Sequence, residues 1–392
     1  MYLYVLAVSG GAIAYIPFLT ILLPVQATQL AGNDALTMLA LAAFAGAISA
    51  SIANIGFGWA SDITRTRRPW IAGGLVVSSG LLATMQLASS PAMLIAMIVC
   101  WQIGLNMMLA PLAAWAGDCI PDSQKGMLGG LLAIAPALGA LSGALVTIKG
   151  FAPGYDRQML VALLVVMMVS PVLVWGRPIP MPLLMESAGD LRQTEDTSDA
   201  ARTAVVRMWS ARFLVQIAEA SLFAFLLLWF RSVEPDFGEN ASATIFTIVL
   251  SLAVLVALAA GRWSDRARRP ILPLIWCSGL AAAGLLIMSI AHNLAVGIAG
   301  YVVFGLASSV FIALHTSQTL RILPRPRTRG RDLGLFNLTN TVPSLIMPWL
   351  TLALVPAFGF DALFLVLAGL AVLACVLLLT MPRQIQASGT AS

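Results

Sequence analysis

Glu219 is the only acidic residue near the middle of any long apolar stretch in this 392-residue sequence. A charge held at the depth of a bilayer costs roughly 3 kcal/mol or more, so a carboxyl group there needs a reason. It can take up and release a proton, or act as counter-ion to a cationic substrate or to sodium. Gln216 stands three residues before it, on the same helical face. The structural alternative is a carboxyl group held by Gln216, or paired with Arg212, that takes no part in chemistry. His315 and Gln318 repeat the i, i+3 spacing in another apolar stretch. An imidazole titrates in the physiological range, and the place of His315 towards one end of its stretch predicts access to water. Gln102 and Asn106, at i, i+4, share a face and offer hydrogen bonds either to a solute or between helices. Tyr15, Asn337, Asn340 and Thr341 add further polar groups inside apolar sequence.

The elements that carry these residues follow from composition. The apolar set makes up 59% of the chain and charged residues 10%, against about a quarter charged in an average soluble domain. Too few polar side chains exist to cover soluble surfaces, and four cysteines are too few for a disulfide scaffold. A membrane-crossing helix needs about 20 mostly apolar residues. Twelve stretches qualify: 2–26, 35–60, 70–89, 92–114, 127–148, 158–176, 208–230, 242–261, 271–291, 295–318, 333–356 and 361–381. They are too long and too evenly apolar for strands of a membrane barrel. The expected fold is an all-α bundle of twelve transmembrane helices.

Basic residues then set the orientation. With both termini in the cytoplasm, 19 of the 22 Lys and Arg face that side, and only Lys149, Arg157 and Arg231 face the other. The net charge of +5 is thus a topological signal. No polar basic domain exists to bind nucleic acid. Met1 is followed at once by apolar sequence, without the basic start of a cleavable leader, so the first helix is expected to be retained. The expected location is the cell (inner or plasma) membrane, with a monomer in the bilayer. No phosphate-binding G-x-x-x-x-G-K-[ST] loop and no clustered catalytic or metal-ligating side chains occur, so neither an enzyme nor a cofactor is expected.

The chain also repeats itself. The longest polar stretch spans 184–204, with six apolar stretches on either side, which predicts six-helix domains over 1–183 and 207–392 joined by a cytoplasmic linker over 184–206. GWASDITRTRRPW begins at Gly58 and GRWSDRARRPILP at Gly261, 203 residues later. Asp62 and Asp265, and Pro121 and Pro324, keep that offset, while Gly130 and Gly334 differ from it by one residue. Glycine permits close helix approach, so Gly58 and Gly261 are expected to pack their helix ends against neighbours. Asp62 and Asp265, one turn on, can accept hydrogen bonds from the positive end of another helix. Arg65, Arg67, Arg68, Arg266 and Arg269 can pair with helix C-termini or carboxylates. Together they form a charge-assisted latch that holds one conformation and breaks in another.

Twelve spans in two halves, with a Gly-x-x-x-Asp-basic loop after the second span of each, resemble the major facilitator superfamily. The resemblance covers essentially the whole chain. Ser61-Asp62 with Arg67-Arg68-Pro69, Ser264-Asp265 with Arg268-Arg269-Pro270, Asp118-Cys-Ile-Pro121 and Gly330-Arg-Asp-Leu-Gly334 are similar to its glycoside–pentoside–hexuronide and sucrose-transporter-like branch. Ile63 and Arg65 depart from the family loop pattern. The resemblance implies that the first, fourth, seventh and tenth spans line a pathway, which selects Tyr15, Gln102, Asn106, Gln216, Glu219 and His315, with Asn337 from the eleventh. It implies a secondary transporter of a small, sugar-like solute working by alternating access. The carboxylate pair that sodium-coupled sugar symporters carry in the second and fourth spans is missing, so a proton is the expected coupling ion rather than sodium. An exporter of hydrophobic drugs or metabolites, and a non-transporting membrane sensor or assembly factor on the same fold, stay open.

Overall fold

The computed structural model describes residues 1–64, 66–119, 131–132, 134–151, 156–176, 199–267, 269, 271–322 and 329–381. Among them the chain is almost entirely helical. The first span is α1 (Tyr2–Pro17), a π-helical turn (Phe18–Leu22) and α2 (Leu23–Ala31) in continuous succession. Then follow α3 (Ala35–Ile63), α4 (Arg68–Thr84), α5 (Pro91–Cys119), α6 (Ile134–Val146) and α7 (Asp156–Trp175). The rest comprises α8 (Asp199–Val233), α9 (Glu239–Ala267), α10 (Leu272–Ser289), α11 (Leu294–Ile322) and α12 (Arg329–Leu379). Gly359, at φ 76°, breaks α12 into two passes with no loop between them. A left-handed backbone suits glycine, which has no Cβ to clash.

The described helices supply eleven of the expected spans and part of the fifth. Nine stretches are long and apolar enough to cross a bilayer; Tyr2–Ser61 and Leu338–Leu379 each hold two passes, and the shorter Ile134–Val146 belongs to the fifth span. The predicted linker ends in helix, because α8 begins at Asp199, before the seventh apolar stretch. Residues 120–130 and 177–198, which hold the loop after the fourth span and most of that linker, lie outside the described residues.

Hydrocarbon offers no hydrogen bonds, which is why the spans are helices and why their hydroxyls turn inward on their own backbone. Thr20 Oγ1 donates to the Ile16 carbonyl (2.7 Å), Ser221 Oγ to Ile217 (2.9 Å) and Thr351 Oγ1 to Met347 (2.8 Å). On the outside, Ile55, Val76, Leu255 and Trp276 are exposed, as befits contact with lipid chains rather than water.

Contacts divide the chain into two units. The first is Met1–Asp190 with Ala224–Leu228 and Asp236–Thr247; the second is Leu191–Phe223, Trp229–Pro235 and Ile248–Ser392. In the first, α5 packs on α3 and α4, and α1 packs on α6 and α7. In the second, α10 packs on α11 and α12. The tightest crossings use glycine in both units. A Cβ on Gly74 of α4 would lie 2.4 Å from the Met108 amide nitrogen and 2.8 Å from the Gly104 carbonyl oxygen of α5. A Cβ on Gly284 of α10 would lie 2.5 Å from the Phe304 nitrogen and 2.8 Å from the Gly300 oxygen of α11. The third and fourth spans of one half, and the ninth and tenth of the other, thus meet backbone to backbone.

Adding a methyl group at either crossing forces the helices apart. Gly74→Ala and Gly284→Ala are each expected to destabilise the protein by about 1–3 kcal/mol. Gly80→Ala, where a Cβ would meet nothing within 4 Å, leaves stability unchanged or slightly higher. Thermal unfolding in detergent compares the three; equal midpoints for all would refute the crossings.

Candidate functional site

The functional residues sort onto a few helix faces. On α8, Met208, Arg212, Gln216 and Glu219 follow one another at intervals of four, four and three residues, which keeps them on one face through three turns. Arg212 is only 8% exposed, and among the described residues it is the one Lys, Arg, Asp or Glu that is buried. Its Nη2 donates to Asn340 Oδ1 of α12 at 3.1 Å. Gln216 and Arg212 both lie within electrostatic reach of the Glu219 carboxyl group. The Gln216 Oε1 atom is buried with no hydrogen-bond partner. Tyr301 of α11, also buried, is within electrostatic reach of Glu219.

His315 differs from the sequence expectation. It is fully buried rather than open to water. Its Nε2 lies 2.9 Å from the Met208 carbonyl oxygen, and its ring tilts against Phe311 at 5.4 Å. A carbonyl oxygen only accepts, so Nε2 carries a proton. His315 therefore joins α11 to the head of the α8 stripe. All of these groups belong to the second unit.

The polar groups of the first unit are used differently. Asn106 Nδ2 donates to the Gln102 carbonyl oxygen (2.9 Å) and side-chain Oε1 (3.4 Å), while Asn106 Oδ1 accepts from Asn54 Nδ2 of α3 (3.2 Å). The Asn106 amide is fully engaged in holding α5 against α3. A second amide chain joins the first span to its neighbours: Gln26 Nε2 donates to the Met85 carbonyl (2.9 Å) and Gln26 Oε1 accepts from Gln158 Nε2 (3.3 Å). Tyr15 is half-buried in α1, two residues before Pro17. Trp101 is fully buried edge-on to Phe18 and belongs to the core, whereas Trp349 is exposed.

At the repeated loops, Arg67 donates to Ser61 Oγ at 2.5 Å, and Arg68 donates to the Leu173 and Val174 carbonyls at the C-terminal end of α7. The second copy mirrors the serine: Ser264 Oγ donates to the Arg269 carbonyl (3.3 Å). The side chains of Arg266 and Arg269 are exposed. The expected close helix approach is absent at Gly58, where a Cβ would meet nothing within 4 Å, and at Gly261 it would meet only Leu314 at ordinary contact distance. Arg65 and the side chains of Asp62, Asp265 and Asn337 lie outside the described residues.

One polar cluster escaped sequence reasoning. Arg157, at the start of α7, pairs with Glu239, at the start of α9, and both side chains are only about one-fifth exposed. Asn240 Nδ2 donates beside them to the Ala144 carbonyl (2.9 Å) and to Thr147 Oγ1 (3.1 Å). The sequence signal for it is a scarcity: Arg157 is one of three basic residues at the end where basic residues are rare.

Comparison with known proteins sets these features in a class. The family model of the Major Facilitator Superfamily matches residues 208–391. The fold matches the human organic anion transporter MFSD10 (TETRAN), with a TM-score of 0.66 at 15% identity over 96% of this chain and 98% of that one. It matches a bacterial homolog of the human lysosomal transporter Spinster, solved inward-facing and unoccupied, with a TM-score of 0.67 at 14% identity over 98% and 95%. No curated protein matches at the sequence level. The chain is a multi-pass helical membrane protein with the major facilitator fold, and its C-terminal half carries that superfamily's sequence pattern.

Removing either member of the Arg157–Glu239 pair leaves a partly buried charge behind. A double-mutant cycle on Arg157→Ala and Glu239→Ala is expected to give a coupling of about 1 kcal/mol in thermal unfolding at low salt. Strictly additive effects would show that the pair contributes nothing.

Proposed function

We propose that this protein is a secondary active transporter that moves a small organic solute by alternating access and couples that movement to protons through Glu219. The observation that carries the reading is the α8 stripe, which puts Glu219, Gln216 and the buried charge of Arg212 on one helix face within electrostatic reach of one another. A group that gains and loses a charge inside hydrocarbon changes which conformation is favoured, and that is what coupling requires. Residues 1–183 and 207–392 act as the two halves of the transporter, with 184–206 as their link. The 19 basic residues on one side put both termini in the cytoplasm, in the cell membrane.

The solute is bound near mid-membrane, as in other transporters built from repeats. The loop motifs favour a sugar-like substrate through their branch resemblance. The sparse polar lining of the apolar spans favours a less hydroxylated one, as an exporter of hydrophobic metabolites would take. The human structural relative is an organic anion transporter, which adds organic anions to these classes. The Gly58–Arg68 and Gly261–Arg269 loops serve as the conformational latch, with Ser61 and Ser264 fixing their basic turns.

Purified protein in proteoliposomes under an imposed pH gradient tests the reading, with substrates first selected by thermal shift against disaccharides, amphiphilic anions and lipophilic cations. The wild type is expected to accumulate its solute against a gradient. Glu219→Gln is expected to lose accumulation at least tenfold while still exchanging solute across the membrane. Coupling that survives unchanged in Glu219→Gln removes the proton role.

A further inference from the structure

We infer that Gln102 Nε2 is a fixed hydrogen-bond donor to the solute, held in that direction by Asn106, and that the solute carries an acceptor oxygen to meet it. The subsite rests on the transporter reading and adds a chemical demand on its substrate. The direction of the amide chain decides it. Asn106 Nδ2 donates to the Gln102 backbone carbonyl at 2.9 Å, and a carbonyl oxygen can only accept. That contact fixes which end of the Asn106 amide is nitrogen. Its Oδ1 is left to accept from Asn54 Nδ2 at 3.2 Å, and its Nδ2 also reaches Gln102 Oε1 at 3.4 Å. Were the Gln102 amide reversed, two N–H groups would face each other. Gln102 therefore turns Oε1 towards Asn106 and Nε2 away from it.

Among the described residues, Gln102 Nε2 has no hydrogen-bond partner. The residue lies about 16 Å along α5 from its start at Pro91. That is close to the middle of a hydrocarbon layer roughly 30 Å thick. An amide left open to hydrocarbon there is strongly disfavoured. The helix, however, presents two faces. Met93, Cys100 and Ile103 are exposed and form the lipid side. Ile95, Gln102 and Leu109 form a second, half-buried line, with Gln102 rotated about 200° from Cys100. Buried Trp101 and Leu105 separate the two faces on one side, and buried Asn106 on the other. Gln102 thus opens away from lipid. Gly46 of α3, where a Cβ would lie 3.7 Å from Nε2, has no side chain to cover it.

A donor that cannot turn over selects by hydrogen-bond polarity rather than by charge. Amides bonded in a chain polarise one another, which strengthens the N–H groups at the end of it. A carbonyl, carboxylate, sulfonate or ether oxygen fits this end. An ammonium group, which only donates, meets another donor there and is rejected. Asn106 is itself buried, so it acts on the solute through Gln102, as a positioning residue, and Asn54 of α3 steadies it from behind.

Two measurements test the subsite. In proteoliposomes, Gln102→Cys is expected to react with a water-soluble methanethiosulfonate while the native Cys100 on the lipid side does not, the adducts being located by peptide mass spectrometry. An unreactive Gln102→Cys overturns the subsite whatever the solute. Binding is then read by thermal shift with octanesulfonate and methyl tetra-O-methylglucoside, whose oxygens only accept, one anionic and one neutral. Tetraphenylphosphonium, which has no acceptor, is the control. The wild type is expected to bind at least one of the first two. Gln102→Leu and Gln102→Met should each weaken that binding by about tenfold. Asn106→Leu should weaken it by about threefold in the wild type and have no further effect in Gln102→Leu. An equal loss in both backgrounds overturns the positioning chain. Binding of tetraphenylphosphonium alone, or of none of the three, overturns the subsite. A pH-driven flux whose apparent affinity is unchanged in Gln102→Leu would remove the subsite and leave the transporter standing. Absence of flux in the wild type would remove both.

Discussion

Hydrocarbon cannot solvate a peptide group, an amide or a charge, and the rest of this structure answers to that constraint. Backbone polarity is absorbed by helices, and hydroxyl groups by the turn before them. Amides are absorbed in short chains such as Gln26 with Met85 and Gln158, or Asn106 with Gln102 and Asn54. Each chain is also a cross-link between helices, so satisfying the polar group and fixing the bundle are one event. What remains is the charge on α8. Among the described residues it is the one buried charge.

The two units use similar materials to different ends. In the first, amides inside the spans bond one another and neighbouring carbonyls across helices, and their geometry is that of fasteners. In the second, Arg212 donates to Asn340, and the Gln216 Oε1 atom is buried without a partner. A buried polar group with an unused acceptor can change partners at lower cost than one whose bonds are all made. The former is what a switching element requires. The glycine crossings of α4 on α5 and α10 on α11 support both units from behind, since backbone contact leaves little room for shear.

Hydropathy marks the spans well, because an unbroken apolar run of about 20 residues is soluble in a bilayer and in little else. The stripe on α8 is half visible in the sequence: Glu219 and Gln216 stand out by type and spacing. Arg212 reads there as a membrane-edge residue, because position along a helix reports depth and not burial. His315 misleads for the same reason. Its enclosure depends on Phe311 and on a carbonyl 107 residues away in sequence. Arg157 with Glu239 pairs residues 82 apart on different helices, and no local pattern announces such a meeting. Gly58 shows the reverse case, a residue type that permits close packing but has no close neighbour among the described residues.

The π-helical turn at Phe18–Leu22 gives the first span one more residue than a regular helix would place there. One residue is a rotation of about 100°. Everything beyond the turn is swung by that angle, and this is what brings Gln26 round to both Met85 and Gln158. The aim of that side chain is therefore set by a count of residues rather than by their kinds. Shortening the turn by one residue would leave every residue type on this helix acceptable and swing Gln26 away from both partners, so the length of the segment carries information that no single position holds.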